Sequence, residues 1–432
     1  MAEILPIRPW RYSPELSKDI DSLVAPLFDV VSTRQRKQLY QNPLNSIHLS
    51  VPEQLGPDGA AAMLADWKAR GVLHQDRLYG IYVYYQYFRI HGSSREYCRK
   101  GFIAHVRTYP WDDGVILRHE NTIPDAVNDR VELLEKTNLH ASPTHGLYTD
   151  PDFVMEPLMD LAIANPIYET EDYQGVRDVL AVIQDYEVVK QFIRFMADRK
   201  VILADGHHRY EGSLQYLQRS RAANGNHTGK EAYNFHLMYF TNTEADDLVI
   251  LPTHRVVRGL ADWNTNDFLK SLATYFNIKE IDDVDNLNDV IAGKPWTFGL
   301  LVSDAAYRIG LKPEVFPTMT WRFPELIKNL DLTVLHYFII EKVLGIPGKE
   351  QRSSPNITFD RSFSDCLHLV DSGQAQAAII TNEVSIDDVK RVCASGYTLP
   401  QKSTYFYPKA ITGLLFSTIK EEEFTSQHFE PF

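Results

Sequence analysis

VILADGHHRYEGSLQY, residues 201–216, sets an acid, a glycine, two histidines and an arginine between an apolar run and a helical pattern. Val201 to Ala204 is short and β-prone, whereas Tyr210, Leu214 and Leu217 recur at helical spacing. Asp205 to Arg209 therefore spans a strand-to-helix turn, and the chain reads as α/β at this point. Amides of such a turn point at whatever docks there. Gly206 permits close backbone approach, and His207, His208 and Arg209 add donors, so phosphate is the expected ligand. The plainer alternative is that Asp205 caps the helix and the histidines face solvent.

Composition bounds the rest. The chain has 432 residues, 44% of them hydrophobic, and no apolar run near membrane-spanning length, which predicts a globular protein of two or three domains. MAEILPIRP at the start lacks the basic and apolar regions of a secretory signal. Cys98, Cys366 and Cys393 are isolated, offering neither a disulfide set nor a CxxC zinc site, so a cytoplasmic location is expected. A net charge of −13 gives no general attraction to nucleic acid or acidic membranes. Small molecules are the expected partners, and oligomeric state leaves no mark in the sequence.

Element order divides the chain into three portions. Residues 1–110 form a mixed α/β portion, with a helix from Ala60 to Arg70 closed by Gly71 and strands at Ile81 to Phe88 and Gly101 to Thr108. The polar stretch between those strands predicts a hairpin. Residues 111–245 form a central unit that holds HENT (119–122), a helix with Val188, Phe192 and Phe195 on one face, and the DGHHR turn. Residues 246–432 form a C-terminal α/β portion. It includes a helix with Leu332, Leu335, Ile339 and Val343 on one face, stopped by GIPG, and a strand at Ala377 to Ile380. Ser385 and Asp388 are spaced as a capping box for a further helix that ends at Gly396.

Five segments, in order, carry a resemblance: APLFDVVS (25–32), NPLNSIHLSVPE (42–53), LRHENT with NDR (117–122, 128–130), ADGHHRYEGS (204–213) and QKSTYFYPKAITGLLF (401–416). Together they look like the DUF1015 family. The DGHHR block is similar to the signature of the ParB and sulfiredoxin nucleotide-binding fold, above all to the free serine kinases built on it. That resemblance implies a ParB-like nucleotide-binding core flanked by family-specific N- and C-terminal portions. It also implies a phosphotransfer site in which an upstream acid activates a serine hydroxyl while the block handles nucleotide phosphates and metal. Carried over, Asp205, His207, His208 and Arg209 match the block, and Glu120 is the upstream acid. The chain departs from the family after HENT, where Ile123 and Ala126 stand in place of basic residues, and at Pro26–Leu27, where a proline pair is usual.

The chemistry asks for donors around the transferred group, a metal bridging phosphates and a carboxylate that orients the attacking hydroxyl. Glu120, Asp205 and His208 are the expected catalytic residues, with Glu120 as base or, equally, a cap or surface carboxylate. Asp205 is also the expected Mg²⁺ ligand. Gly206, His207, Arg209 and Arg130 are expected at the phosphates of ATP or ADP. Lys402, Ser403 and Thr404, beside Lys409 and the aromatics Tyr405 to Tyr407, are expected at the substrate. His119, adjacent to Glu120 on a strand, should point to the opposite face. Asn128, Asp129 and Arg130 read as a helix start, and Thr253, His254 and Arg255 as a strand end that offers a second basic contact. Three functions compete: a nucleotide-dependent kinase acting on free L-serine, a metal-dependent phosphatase or hydrolase acting on phosphoserine, and a ParB-like nucleotide-binding regulator.

Overall fold

The computed structural model describes residues 1–424 except 28–30, 54, 91–92 and 401. The fold is mixed α/β, as the sequence predicts. It resolves into two compact units: Met1–Val249 together with the chain from Pro408 onward, and Ile250–Tyr407. The three-part division expected from element order is replaced because one sheet runs through the expected boundary at residue 110.

That sheet, in the first unit, contains β1 (Ile4–Leu5), β2 (Ile81–Arg89), β3 (Glu96–Arg107), β4 (Ile116–Arg118), β5 (Thr144–Tyr148), β6 (Tyr168–Glu171), β7 (Arg177–Ile183), β8 (Val201–Asp205) and β9 (Phe235–Asn242). Their order is β4-β8-β5-β9-β3-β2-β7-β6, with β1 also on β3. β2 and β3 form the expected hairpin, and β9 pairs along β3, joining residues on both sides of position 110. β4 and β8 run parallel, as do β5 and β9, and the other pairs are antiparallel. Alternate residues of β2 serve two cores. Val83 and Tyr85 pack with Phe102, Phe192 and Phe240 on one face, while Tyr82 and Tyr84 pack with Trp67, Ile103, Tyr239 and Phe416 on the other. Burial on both faces explains the near-continuous apolar and aromatic run.

Four helices of this unit matter for the site: α1 (Gly56–Ala69), α2 (Pro124–Thr137), α3 (Tyr186–Met196) and α4 (His207–Ala223). α1 starts four residues before the expected helix and ends as expected, with Gly71 at a φ of 69°. α3 carries the predicted apolar face and is capped by Asp185, which accepts from the Val188 N–H. α2 begins at Pro124, whose fixed φ suits the first helical position, so Asn128 to Arg130 lie in its second turn and do not form the helix start.

The second unit is built on an antiparallel sheet of β10 (His254–Val257), β11 (Phe276–Ile281), β12 (Thr297–Val302), β13 (Ala305–Leu311), β14 (Ile357–Asp360) and β15 (Ala377–Ile380), ordered β11-β13-β12-β15-β10-β14. The helix expected around Leu335 forms, with π-helical turns from Leu335 to Val343. Leu335 to Ile340 are all buried, so this helix sits inside the core and does not show a single apolar face. Ser385 caps the last helix, Ile386–Ala394, by accepting from the Asp388 N–H. Among the described residues no helix is long and apolar enough to cross a membrane.

Candidate functional site

Strand direction assembles the site. β4 and β8 are parallel, with Arg118 level with Leu203, so HENT leaves β4 at the end of the sheet where Asp205 ends β8. β5 is antiparallel to β8, which sets His145 opposite Asp205. Gly206 then turns the chain into α4 at a φ of 87°. A Cβ there would lie 2.6 Å from Thr144 Cγ2 and 2.8 Å from Arg209 Nη2, so both the torsion and the space require glycine. The Tyr210 N–H bonds the Gly206 carbonyl, and the amides of His207, His208 and Arg209 precede that first helical bond.

Asp205 lies between two cations. Arg209 Nη2 bonds its Oδ2 at 2.9 Å, and Lys409 Nζ bonds its Oδ1. The Lys409 side chain is only 9% exposed. Arg209 is fixed further by Nη1, which donates to Ser142 Oγ at 2.8 Å and to the Pro143 carbonyl at 2.7 Å. Burial alone would raise the Asp205 carboxyl, yet Lys409 and Arg209 hold it well below the usual carboxylate range. Both carboxylate oxygens are thus engaged by cations, an arrangement that does not fit Asp205 as a Mg²⁺ ligand. Among the described residues, no group of three or more His, Cys, Asp or Glu side chains could hold a metal.

The histidines differ from expectation in charge. His207 is buried, and its ring meets that of His119 edge-on at 4.8 Å between centroids. Burial, followed by the neighbouring His119, pushes His207 well below its ordinary value. Burial also pushes His119 down to about 4, although its ring hydrogen-bonds the Leu203 backbone. Both are neutral near pH 7, so His207 is not the charge-assisted phosphate donor its position suggested. Its Nε2 is buried with no hydrogen-bond partner among the described residues. His208 is half-buried, and its Nε2 accepts from the Ile123 N–H at 3.0 Å, tying the loop after HENT to the start of α4. Glu120 is half-buried in that loop. His119, expected to point away from the site, packs on the DGHHR block, because the strand alternation assumed for it stops at Arg118.

Other expected residues scatter. Arg130 lies on α2 where α2 packs on Gly212 of α4, and its guanidinium bonds Asp129 and the Ser50 carbonyl. Lys402, Ser403 and Thr404 belong to the second unit; Lys402 is exposed at a φ of 55°, and the buried Ser403 hydroxyl donates to the Pro400 carbonyl. Arg255 is fully buried on β10, donating to His336 Nε2 at 3.3 Å and to the Thr253 carbonyl. It is not the accessible basic contact that a strand end would give, because β10 lies inside its sheet.

Lys409, which the sequence offered only as one positive charge among several around Tyr405 to Tyr407, is the second cation on Asp205. Its placement depends on a polar row across three neighbouring strands, where Asp178 faces Gln86 and Gln86 faces Arg99. Gln86 Nε2 donates to Asp178 Oδ1 at 2.8 Å and to the Lys409 carbonyl at 3.1 Å, while Arg99 Nη2 donates to Gln86 Oε1 and the Pro408 carbonyl. Backbone 408–409 is therefore held by the sheet, which aims the Lys409 side chain at Asp205. The signal available in sequence was Gln86 inside the apolar and aromatic run Ile81 to Phe88.

A family profile described as "Protein of unknown function (DUF1015)" matches residues 4–333. No curated protein matches the chain. Among solved structures, a mutant free serine kinase in complex with AMP is similar at 12% identity and a TM-score of 0.37, covering 72% of this chain and 90% of that one. A conserved hypothetical protein from Pyrococcus furiosus (12% identity, TM-score 0.34, 72% and 94% covered) and SbnI with a C-terminal truncation from Staphylococcus aureus (12%, 0.35, 73% and 87%) are similar to the same degree. Likeness at this level bears on neither ligand nor activity.

Proposed function

We propose that this chain, which belongs to the DUF1015 family as its match over residues 4–333 establishes, binds a nucleotide phosphate at the Gly206 turn and transfers a phosphoryl group to a small hydroxyl compound, free L-serine. The observation that carries this reading is the convergence of Arg209 and Lys409 on Asp205 at the glycine-bounded start of a 17-residue helix. Two largely shielded cations with first-turn amides suit an anion better than a metal. The likeness of the DGHHR block to the free serine kinases supports the substrate and the ParB-like core.

In this reading an incoming phosphate shares Arg209 and Lys409 with Asp205, whose own charge keeps both cations aimed while the site is empty. The turn amides and the His208 side of the helix start bound the phosphate oxygens. Glu120 takes the proton of the serine hydroxyl as its oxygen bonds phosphorus, and the bond to the nucleotide breaks with its electron pair leaving on the nucleotide.

Phosphorus NMR of the purified protein with ATP or ADP and serine, with and without Mg²⁺, tests this. A phosphoserine resonance growing as the nucleotide is consumed is expected. No transfer in either direction, together with no rise in melting temperature on adding any nucleotide, removes both the kinase and the phosphate site.

A further inference from the structure

Away from the Gly206 turn, a cleft of about 400 Å³ opens beside the edge strands of the first unit. Its volume is that of a small-ligand site. Asp21, Glu171, Asp172 and Asp178 are among its lining residues, and among the described residues no lysine, arginine or histidine lines it. Val24, Ala25 and Ile411 supply apolar wall. Asp178 is 1% exposed. Its Oδ1 accepts from the Tyr84 hydroxyl and Gln86 Nε2, whereas its Oδ2 is buried with no hydrogen-bond partner among the described residues. A buried carboxylate oxygen left unbonded is costly, and this one belongs to a residue that lines an acidic cleft. The acids are not grouped as a metal cage, so the complement is an organic cation with an apolar stem.

We propose that this cleft binds a small organic cation through a primary ammonium group seated on Asp178 Oδ2. The ammonium donates to the bare oxygen, and the outer carboxylates of Asp21, Glu171 and Asp172 supply attraction at the mouth. Burial pushes Asp178 up to about 7 despite its bonds to Tyr84 and Gln86, a shift that an ammonium partner reverses. Nothing in this proposal rests on phosphoryl transfer, so its failure and that of the kinase reading are separate.

Titration calorimetry on the full chain with butane-1,4-diamine, and with butane-1,4-diol as the uncharged match, tests it. The diamine is expected to bind saturably and the diol not at all. Asp178→Asn, which keeps volume and both internal bonds but replaces the bare oxygen with an amide donor, should weaken the diamine about tenfold or more. Asp21→Asn should weaken it by up to about fivefold, as an exposed charge does. Equal binding of diol and diamine, an unchanged affinity in Asp178→Asn, or no heat with about 10 mM diamine, the weak end of specific recognition, overturns the proposal. If Asp178→Asn does not fold, the pair Asp21→Asn with Asp172→Asn decides, since unchanged affinity there also overturns it.

Discussion

Lys409→Met tests the arrangement at its centre. Methionine keeps most of the stem packing and removes only the ammonium that bonds Asp205 Oδ1. Breaking one partner of a buried ion pair costs about 3–5 kcal/mol. Here Arg209 still bonds Oδ2 at 2.9 Å, so the uncompensated part is smaller, about 2–3 kcal/mol on the same scale. For a domain of this size that corresponds to a fall of roughly 4–12 °C in melting temperature. If Lys409 also meets phosphate, loss of one charge-assisted bond should weaken ATP by about ten- to a hundredfold. Urea unfolding and nucleotide titration measure the two separately. The pH dependence follows from the lowered Asp205 carboxyl. Its contribution is present above the unfolded value of ~3.9 and is lost as pH falls through the folded value, so the gap between wild type and variant should narrow in acid. A loss under about 0.5 kcal/mol, within the range of ordinary surface changes, together with unchanged ATP affinity, refutes the buried-pair reasoning.

Gly206→Ala should destabilise by about 1–3 kcal/mol and abolish nucleotide binding, since the φ of 87° and the 2.6 Å approach to Thr144 both oppose a Cβ; unfolding curves and titration read it. Glu120→Gln should lower serine phosphorylation by about 10²–10⁴-fold with nucleotide affinity unchanged, and equal turnover removes Glu120 as the base. The Asp178 carboxyl is raised in the folded state, so its contribution is full below ~3.9 and is lost as pH rises toward about 7, by up to about 4 kcal/mol. Unfolding from pH 4 to pH 8 should therefore slope in the wild type more than in Asp178→Asn.

Local chemistry was legible and long-range chemistry was not. The strand, turn and helix around Gly206, the cap at Ser385 and the apolar face of α3 follow from periodicity and from residues within one turn of each other. Lys409 and Asp205 stand 204 positions apart, and nothing in QKSTYFYPKA ranks Lys409 above Lys402. Their difference arises because Gln86 and Arg99 grip the backbone at 408–409, a contact that needs the sheet order. The charge of His207 was equally hidden, since its neutrality comes from burial against His119. Arg255 misled because a basic residue at an apparent strand end looks exposed, whereas β10 has β15 on one side and β14 on the other.

The same chain order has a consequence for synthesis. Asp205 and Arg209 leave the ribosome before the whole of Ile250–Tyr407, and Lys409 follows only after it. At about 5–20 residues per second the interval is on the order of ten to forty seconds. During that time the nascent first unit holds an acid and one cation where the finished protein holds an acid and two. A chain cut short anywhere within the second unit never gains the third charge, so the cluster around Asp205 is completed only after that unit has been made.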